Sequence, residues 1–170
     1  MKTVRTDVLD DLARQLEACL DASVDVVLVH GAGSFGHLKA KAYRLAEGKV
    51  NDGNLPSEMT QEEAVADVRS DMLELNQHVM DALTKHDISA VSLSPHRWAK
   101  NTGKEFLGDL GVFDGAPTGI VVVTHGDVVE CDPPMGFGIL SGDDLVYRLA
   151  TEVSGVKRLV FAMGGVEGVL

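Results

Sequence analysis

The sequence predicts an α/β layered sandwich built on a mainly parallel sheet, and three observations predict it. Short β-branched apolar runs recur at Val24–Val29, Ile88–Leu93 and Thr118–Thr124, the pattern of strands buried on both faces. Between them lie segments whose apolar residues stand three and four apart, which is helical spacing. The two kinds of segment alternate, as they do where helices connect parallel strands.

The elements follow in order. Val8, Leu9, Leu12, Leu16, Cys19 and Leu20 form a helical stripe over Asp7–Leu20, with Asp7 placed to cap its start. The Val24–Val29 strand runs into a glycine-rich turn, His30–Gly36, and His37 opens a helix to Ala46. Glu47–Met59, with Asn51, Asp52, Gly53, Asn54 and Pro56, reads as an exposed loop. Thr60-Gln61-Glu62-Glu63 is a capping box, and a long helix follows to about His86. Its stripe of Val65, Val68, Met72, Leu75, Val79 and Leu83 is explained by core packing. After the Ile88–Leu93 strand, Ser94–Pro117 reads as irregular and holds the only tryptophan, Trp98. The Thr118–Thr124 strand turns at Gly126-Asp127 into a hairpin arm, Val128–Cys131. Gly142–Val153 is a helix and Arg158–Met163 a fourth strand.

A chain of 170 residues is one domain by length, and 45% apolar residues suffice for a core. Fifteen basic against 26 acidic residues give a net charge of −11. That excludes a general nucleic-acid surface and an anionic-membrane binder. A small anionic ligand remains open, because backbone N–H groups act locally whatever the net charge. No apolar run approaches the ~20 residues of a membrane span, and Met1–Asp7 contains no apolar signal core. Cys19 and Cys131 show neither metal nor disulfide spacing. The expectation is a soluble, cytoplasmic protein.

The strongest chemical signal is His30-Gly31-Ala32-Gly33-Ser34-Phe35-Gly36-His37. Glycines let main-chain N–H groups approach a ligand, and a following helix presents its positive end, so the loop reads as an anion site. A ligand-free tight turn is the plainer alternative. Gly31-x-Gly33-x-x-Gly36 also matches the dinucleotide pattern in letters. That pattern needs an acidic residue ending a second strand about 20 positions on. Here the position falls near Asn51-Asp52-Gly53, in a polar loop. The Walker pattern fails too, because no Gly-Lys-Ser/Thr closes the loop. His37 can donate to a phosphate even when neutral. Lys39, Lys41 and Arg44 follow within two turns, as a phosphate-attracting patch or as a solvated helix face. His30 reads as a partly buried structural residue. A second signal is Ile139-Leu140-Ser141-Gly142-Asp143-Asp144. Ser141 or Asp143 could cap the next helix, or Asp143 could reach a ligand at the sheet's carboxyl edge. Both loops are expected on that same edge.

These segments, with Thr124-His125-Gly126-Asp127-Val128-Val129 between them, resemble the isopentenyl phosphate kinases of the amino acid kinase family in content, order and spacing. The resemblance runs from about Asp7 to Leu170. It implies a three-layer α/β/α sandwich with an open sheet, and transfer of the ATP γ-phosphate to isopentenyl phosphate in isoprenoid synthesis. By position, the resemblance implies catalytic roles for His37 and Asp143. It implies substrate contacts at Ala32, His37 and Gly142, and ATP-phosphate contacts at Gly33 and Ser34. Asp143 would organise phosphate-binding lysines. ATP would bring Mg2+ with it, no protein metal site is implied, and a homodimer is compatible. The family's initial Lys-x-Gly-Gly-Ser strand has no counterpart in this sequence, and Gly165 stands where an aspartate is expected. The resemblance therefore implies that residues 1–170 form a partial kinase domain. It would hold the substrate- and phosphate-binding part, without the first strand or the C-terminal nucleotide-binding part. Three alternatives stay open: a non-catalytic product, a kinase for another small phosphate or phosphonate, and a dinucleotide-dependent oxidoreductase.

Overall fold

Strand β5 (Val121–His125) is buried along its whole length and organises the fold. The computed structural model describes residues 2–51 and 53–162. Strands β1 (Val27–His30) and β2 (Ala90–Ser92) flank β5, both parallel to it, in the order β1-β5-β2. Successive side chains of a strand face opposite ways, and β5 shows the consequence. Val121 and Val123 pack with Ala13 and Leu16 of α1 (Thr6–Asp21) and with Val79 and Leu83 of α3 (Gln61–Lys85). Val122 packs on the other face with Leu145 and Leu149 of α5 (Gly142–Glu152). Helices, sheet and helix make three layers.

Helix α2 (Gly33–Ala42) lies against the first half of α3. Val65, Val68 and Met72 are buried there with Tyr43, Leu45 and Val128. Thr60 caps α3 as the sequence predicts: its hydroxyl accepts from the Glu63 N–H while the Glu63 carboxylate accepts from the Thr60 N–H. A second, mixed sheet has the order β4-β3-β6-β7. It comprises β3 (Ala99–Lys100), β4 (Leu107–Gly108), β6 (Asp127–Glu130) and β7 (Phe137–Leu140). The arm read at Val128–Cys131 finds its antiparallel partner in β7, a strand the sequence reading did not assign, and not in β5, which lies in the other sheet.

Four sequence expectations are corrected. Ser94–Pro117 contains β3, β4 and a short helix, α4 (Gly111–Asp114), whose two-residue strands carry no periodicity to read. Residues 158–162 form no strand and are exposed, so their apolar content does not reflect pairing; Met163 and Gly165 lie outside the described residues. Asp7 does not cap α1: Arg5 is the cap residue and makes no side-chain cap bond, and Asp7 lies in the first turn. Helix α2 begins at Gly33 and not at His37, and ends at Ala42. The glycines join it because α2 packs closely on α3, where a Cβ on Gly36 would lie 3.2 Å from Val68 Cγ1. Among the described residues, no helix is long and apolar enough to cross a membrane.

Candidate active site

The carboxyl edge of the parallel sheet brings the two sequence signals together. His30 ends β1 and His125 ends β5, in register with each other. The chain leaves through Gly31 and Gly126, and the Gly126 N–H donates to the His30 carbonyl at 3.0 Å. Helix α5 starts at the same place. A Cβ on Gly142 would lie 3.7 Å from Val29 Cγ1 and 3.8 Å from the His30 carbonyl oxygen. A Cβ on Gly126 would lie 3.3 Å from the Gly142 nitrogen, so backbone meets backbone here. The glycine loop and the Ser141-Gly142-Asp143 turn therefore share an edge, where ligands of open α/β sheets bind.

The loop itself is shaped for an anion. Ala32 is right-handed, with φ −76° and ψ −24°, and Gly33 is left-handed, with φ +51°. A right-handed residue followed by a left-handed one turns three successive N–H groups, here of residues 32, 33 and 34, to one concave side. Helix α2 begins at this point and adds its positive end. A residue with a Cβ resists φ +51°, and nothing lies within 4 Å of where that Cβ would stand. Gly33 thus serves conformation and leaves the approach open.

His37 stands four residues along α2 from Gly33, on the same helix face and exposed. Residues four apart share a helix face, which sets His37 one turn beyond the loop on the side of Gly33. Ser34 is engaged from outside: its hydroxyl accepts from the Thr3 N–H at 2.9 Å and donates to the Thr3 carbonyl at 3.2 Å. Ser141 caps α5, accepting from the Asp144 N–H at 3.0 Å and donating to the Asp144 carboxylate. Asp143 is exposed in the first turn of α5 and is not needed for the cap.

Of the two readings of Lys39, Lys41 and Arg44, the phosphate-attracting patch is not the one the structure shows. Lys39 turns to Asp67 and to Asp71, 2.9 Å away, and Arg44 pairs with Glu47. Asp71 is only 4% exposed, and Lys2 reaches it at 2.6 Å. Burial alone would raise the Asp71 pKa, but hydrogen bonds from Lys2 and Lys39 hold it below the usual carboxylate range. Only Lys41 of the three stays exposed without a partner among the described residues. The site's positive character is therefore a property of the backbone.

Sequence reasoning assigned no role to His125, which is fully buried. Its ring stacks on His30 with centroids 5.1 Å apart. Behind them, His30 Nε2 meets Asn76 Oδ1 at 3.3 Å, and the Asn76 amide donates to the Ser92 hydroxyl at 2.8 Å. Burial pushes the His30 pKa below the usual imidazole value. Nearby, buried Asp127 accepts from the His96 N–H at 3.0 Å and pairs with its ring at 2.7 Å. The repeated dipeptide, His30-Gly31 and His125-Gly126, was the available signal for the stacked pair. Among the described residues, no cluster of His, Cys, Asp and Glu could hold a metal ion. Two surface depressions, of 510 and 270 Å³, are lined by residues of α1 and α3 and of the segments before them, such as Met59, Glu63, Leu9 and His78, and by no residue of the His30–His37 loop. The backbone geometry, not a cavity, marks the site.

The architecture is a parallel α/β/α sandwich with a backbone concavity at its carboxyl edge, and residues 2–170 match the amino acid kinase family. The chain belongs to that family. It is similar to the isopentenyl phosphate kinase of Methanocaldococcus jannaschii, 30% identical over 174 residues covering 99% of this chain and 64% of that protein. The Arabidopsis thaliana isopentenyl phosphate kinase is 35% identical over 127 residues, covering 73% of this chain and 36% of that one. An X-ray structure of isopentenyl phosphate kinase superposes with a TM-score of 0.74 at 29% identity, covering 86% of this chain and 58% of that chain. The chain thus spans less than two thirds of the length of each of these relatives.

Proposed function

We propose that this chain supplies the substrate- and phosphate-binding part of a kinase that converts isopentenyl phosphate to isopentenyl diphosphate with ATP. One observation carries the reading: the backbone concavity at Ala32–Gly33 opens on the edge where Gly126 and Gly142 meet backbone to backbone. A phosphate fits there, because three N–H groups and a helix start offer donors with no side chain in the way.

In the reaction a phosphate oxygen of isopentenyl phosphate bonds to the ATP γ-phosphorus while the bond from that phosphorus to the bridging oxygen breaks, and ADP departs. Catalysis of such a step is positioning and charge stabilisation, with little covalent work for the protein. Ala32 and Gly142 hold the substrate phosphate through their backbones; Gly33 and Ser34, whose N–H groups share the same concave side, lie against it and meet the ATP phosphates through theirs. His37 donates a hydrogen bond to the substrate phosphate and stabilises its charge as the new bond forms. Asp143, unengaged at the head of α5, orients the cations around the phosphates. Mg2+ arrives with ATP. We place the reaction in the cytoplasm; a homodimer is compatible with it.

A second reading is a binding module that holds the phosphate at the same backbone concavity without turnover. A dinucleotide reading has no support in the fold, since residues 48–51 and 53–60 form no strand to hold a ribose. The experiment is ³¹P NMR of the protein with Mg-ATP and isopentenyl phosphate. Isopentenyl diphosphate and ADP are expected. Saturable isopentenyl phosphate binding without product would establish the binding module instead, and no binding at all would overturn both.

A further inference from the structure

The stacked histidines do more than fill space. Each ends a strand of the parallel sheet, each is followed by glycine, and each ring turns back on that glycine's carbonyl. His30 Nδ1 lies 3.1 Å from the Gly31 oxygen and His125 Nδ1 lies 3.0 Å from the Gly126 oxygen. A carbonyl oxygen only accepts, so each Nδ1 must carry the proton. We propose that His30 and His125 are paired positioning residues: each Nδ1–H pins the following glycine carbonyl, and His30 thereby aims the Ala32 N–H at the bound phosphate.

The mechanism follows from peptide planarity. In a trans peptide the carbonyl and the next N–H point in opposite directions. The His30 ring faces Asn76 on α3, so a Gly31 carbonyl held to that ring sends the Ala32 N–H away from α3. As the residue preceding α2, Ala32 keeps its N–H outside the helix ladder and free to serve the concavity. His125 repeats the device one strand over, where it holds the Gly126–Asp127 peptide. That peptide adjoins the Gly126 N–H, which is bonded to the His30 carbonyl. The stack couples the two.

The surroundings accommodate the required tautomer once the Asn76 carboxamide, whose oxygen faces His30 Nε2 at 3.3 Å, is turned end for end. Burial favours neutral His30, which has one proton to place. With that proton on Nδ1, Nε2 becomes an acceptor facing the Asn76 carboxamide. Asn76 can turn its N–H₂ to this contact and take the Ser92 hydroxyl proton on its oxygen. The ionisable group facing His30 is His125 of β5; Asn76 of α3, Ser92 of β2 and Gly142 of α5 carry no charge. His125 Nε2 has no partner among the described residues, so a proton placed there would be a buried, unpaired donor.

This inference rests on reading the Ala32–Gly33 concavity as the phosphate site, and its test separates the two. Long-range ¹H–¹⁵N correlation of the imidazoles at pH 7.5 reports the tautomers directly. Nδ1 of His30 and of His125 is expected to carry a proton; an Nε2–H form with bare Nδ1 on either ring overturns the proposal. His30→Phe keeps a stacking ring and removes the donor. Its affinity for isopentenyl phosphate is expected to fall about two- to tenfold, the span of one hydrogen bond, with the Ala32 amide response to the ligand diminished. Unchanged affinity and an unchanged Ala32 response in a folded His30→Phe protein overturn the aiming role. Nδ1–H tautomers in a protein that binds no isopentenyl phosphate sustain the pinning and refute the site reading alone.

Discussion

Gly31 and Gly33 provide a matched pair of substitutions within one loop. At both positions an added Cβ would meet nothing within 4 Å, so neither Gly31→Ala nor Gly33→Ala creates a clash. They differ in backbone: Gly33 has φ +51° and Gly31 is not among the residues with positive φ. An L-residue in the left-handed region costs about 1–2 kcal/mol. At about 2–4 °C per kcal/mol for a domain of this size, Gly33→Ala should lower Tm by about 2–8 °C. Gly31→Ala carries no such penalty and should stay within about 0.5 kcal/mol of wild type, as surface substitutions do. The relaxation that relieves Ala at position 33 also turns the N–H groups of residues 32–34 away from their common focus. Gly33→Ala should therefore lose isopentenyl phosphate affinity tenfold or more, and Gly31→Ala should lose far less. Differential scanning calorimetry and isothermal titration measure both quantities. Equal effects of the two substitutions would refute the argument from backbone handedness.

Three further outcomes follow from other parts of the structure. Thr60→Ala removes a capping-box hydroxyl from α3 and should cost about 1 kcal/mol, read as a fall in the urea midpoint. The Asp71 pKa is held low in the folded protein, so its contribution is present above the ordinary carboxylate pKa near 3.8 and is lost as pH falls through the lower folded value. Asp71→Asn should flatten that acid limb of a stability–pH curve and destabilise by about 1.5–3 kcal/mol at pH 7, the worth of charged hydrogen bonds. His37→Ala should reduce kcat/KM for isopentenyl phosphate about ten- to two-hundredfold where turnover is measured, and His37→Gln less, since it keeps a donor.

The parts legible in the sequence are those governed by local rules. Thr60 and Glu63 announce the start of α3, and the stripe from Val65 to Leu83 marks its buried face, with Leu75 half-buried at the margin. The β-branched run at Val121–Val123 marks the central strand. What escaped depends on tertiary partners. The start of α2 at Gly33 reflects close packing of Gly36 on Val68, which helix propensity opposes. Whether Lys39 formed a patch or a solvated face stayed open in the sequence because its carboxylate partners, Asp67 and Asp71, lie about thirty residues away on α3. The loop residues of the site were legible as residue types, but the handedness of Ala32–Gly33 was not. His125 escaped for the same reason: a strand-terminal histidine acquires meaning only when register sets it beside His30.

The central claim is that the Ala32–Gly33 loop is a phosphate receptor. The most direct measurement is amide chemical-shift perturbation of the ¹⁵N-labelled protein on titration with isopentenyl phosphate. The account predicts saturable shifts of the residue 32, 33 and 34 amides, accompanied by Gly142 and the His37 ring, and lost in Gly33→Ala. Saturable binding that leaves these three amides unmoved, or that is unaffected by Gly33→Ala, would contradict it.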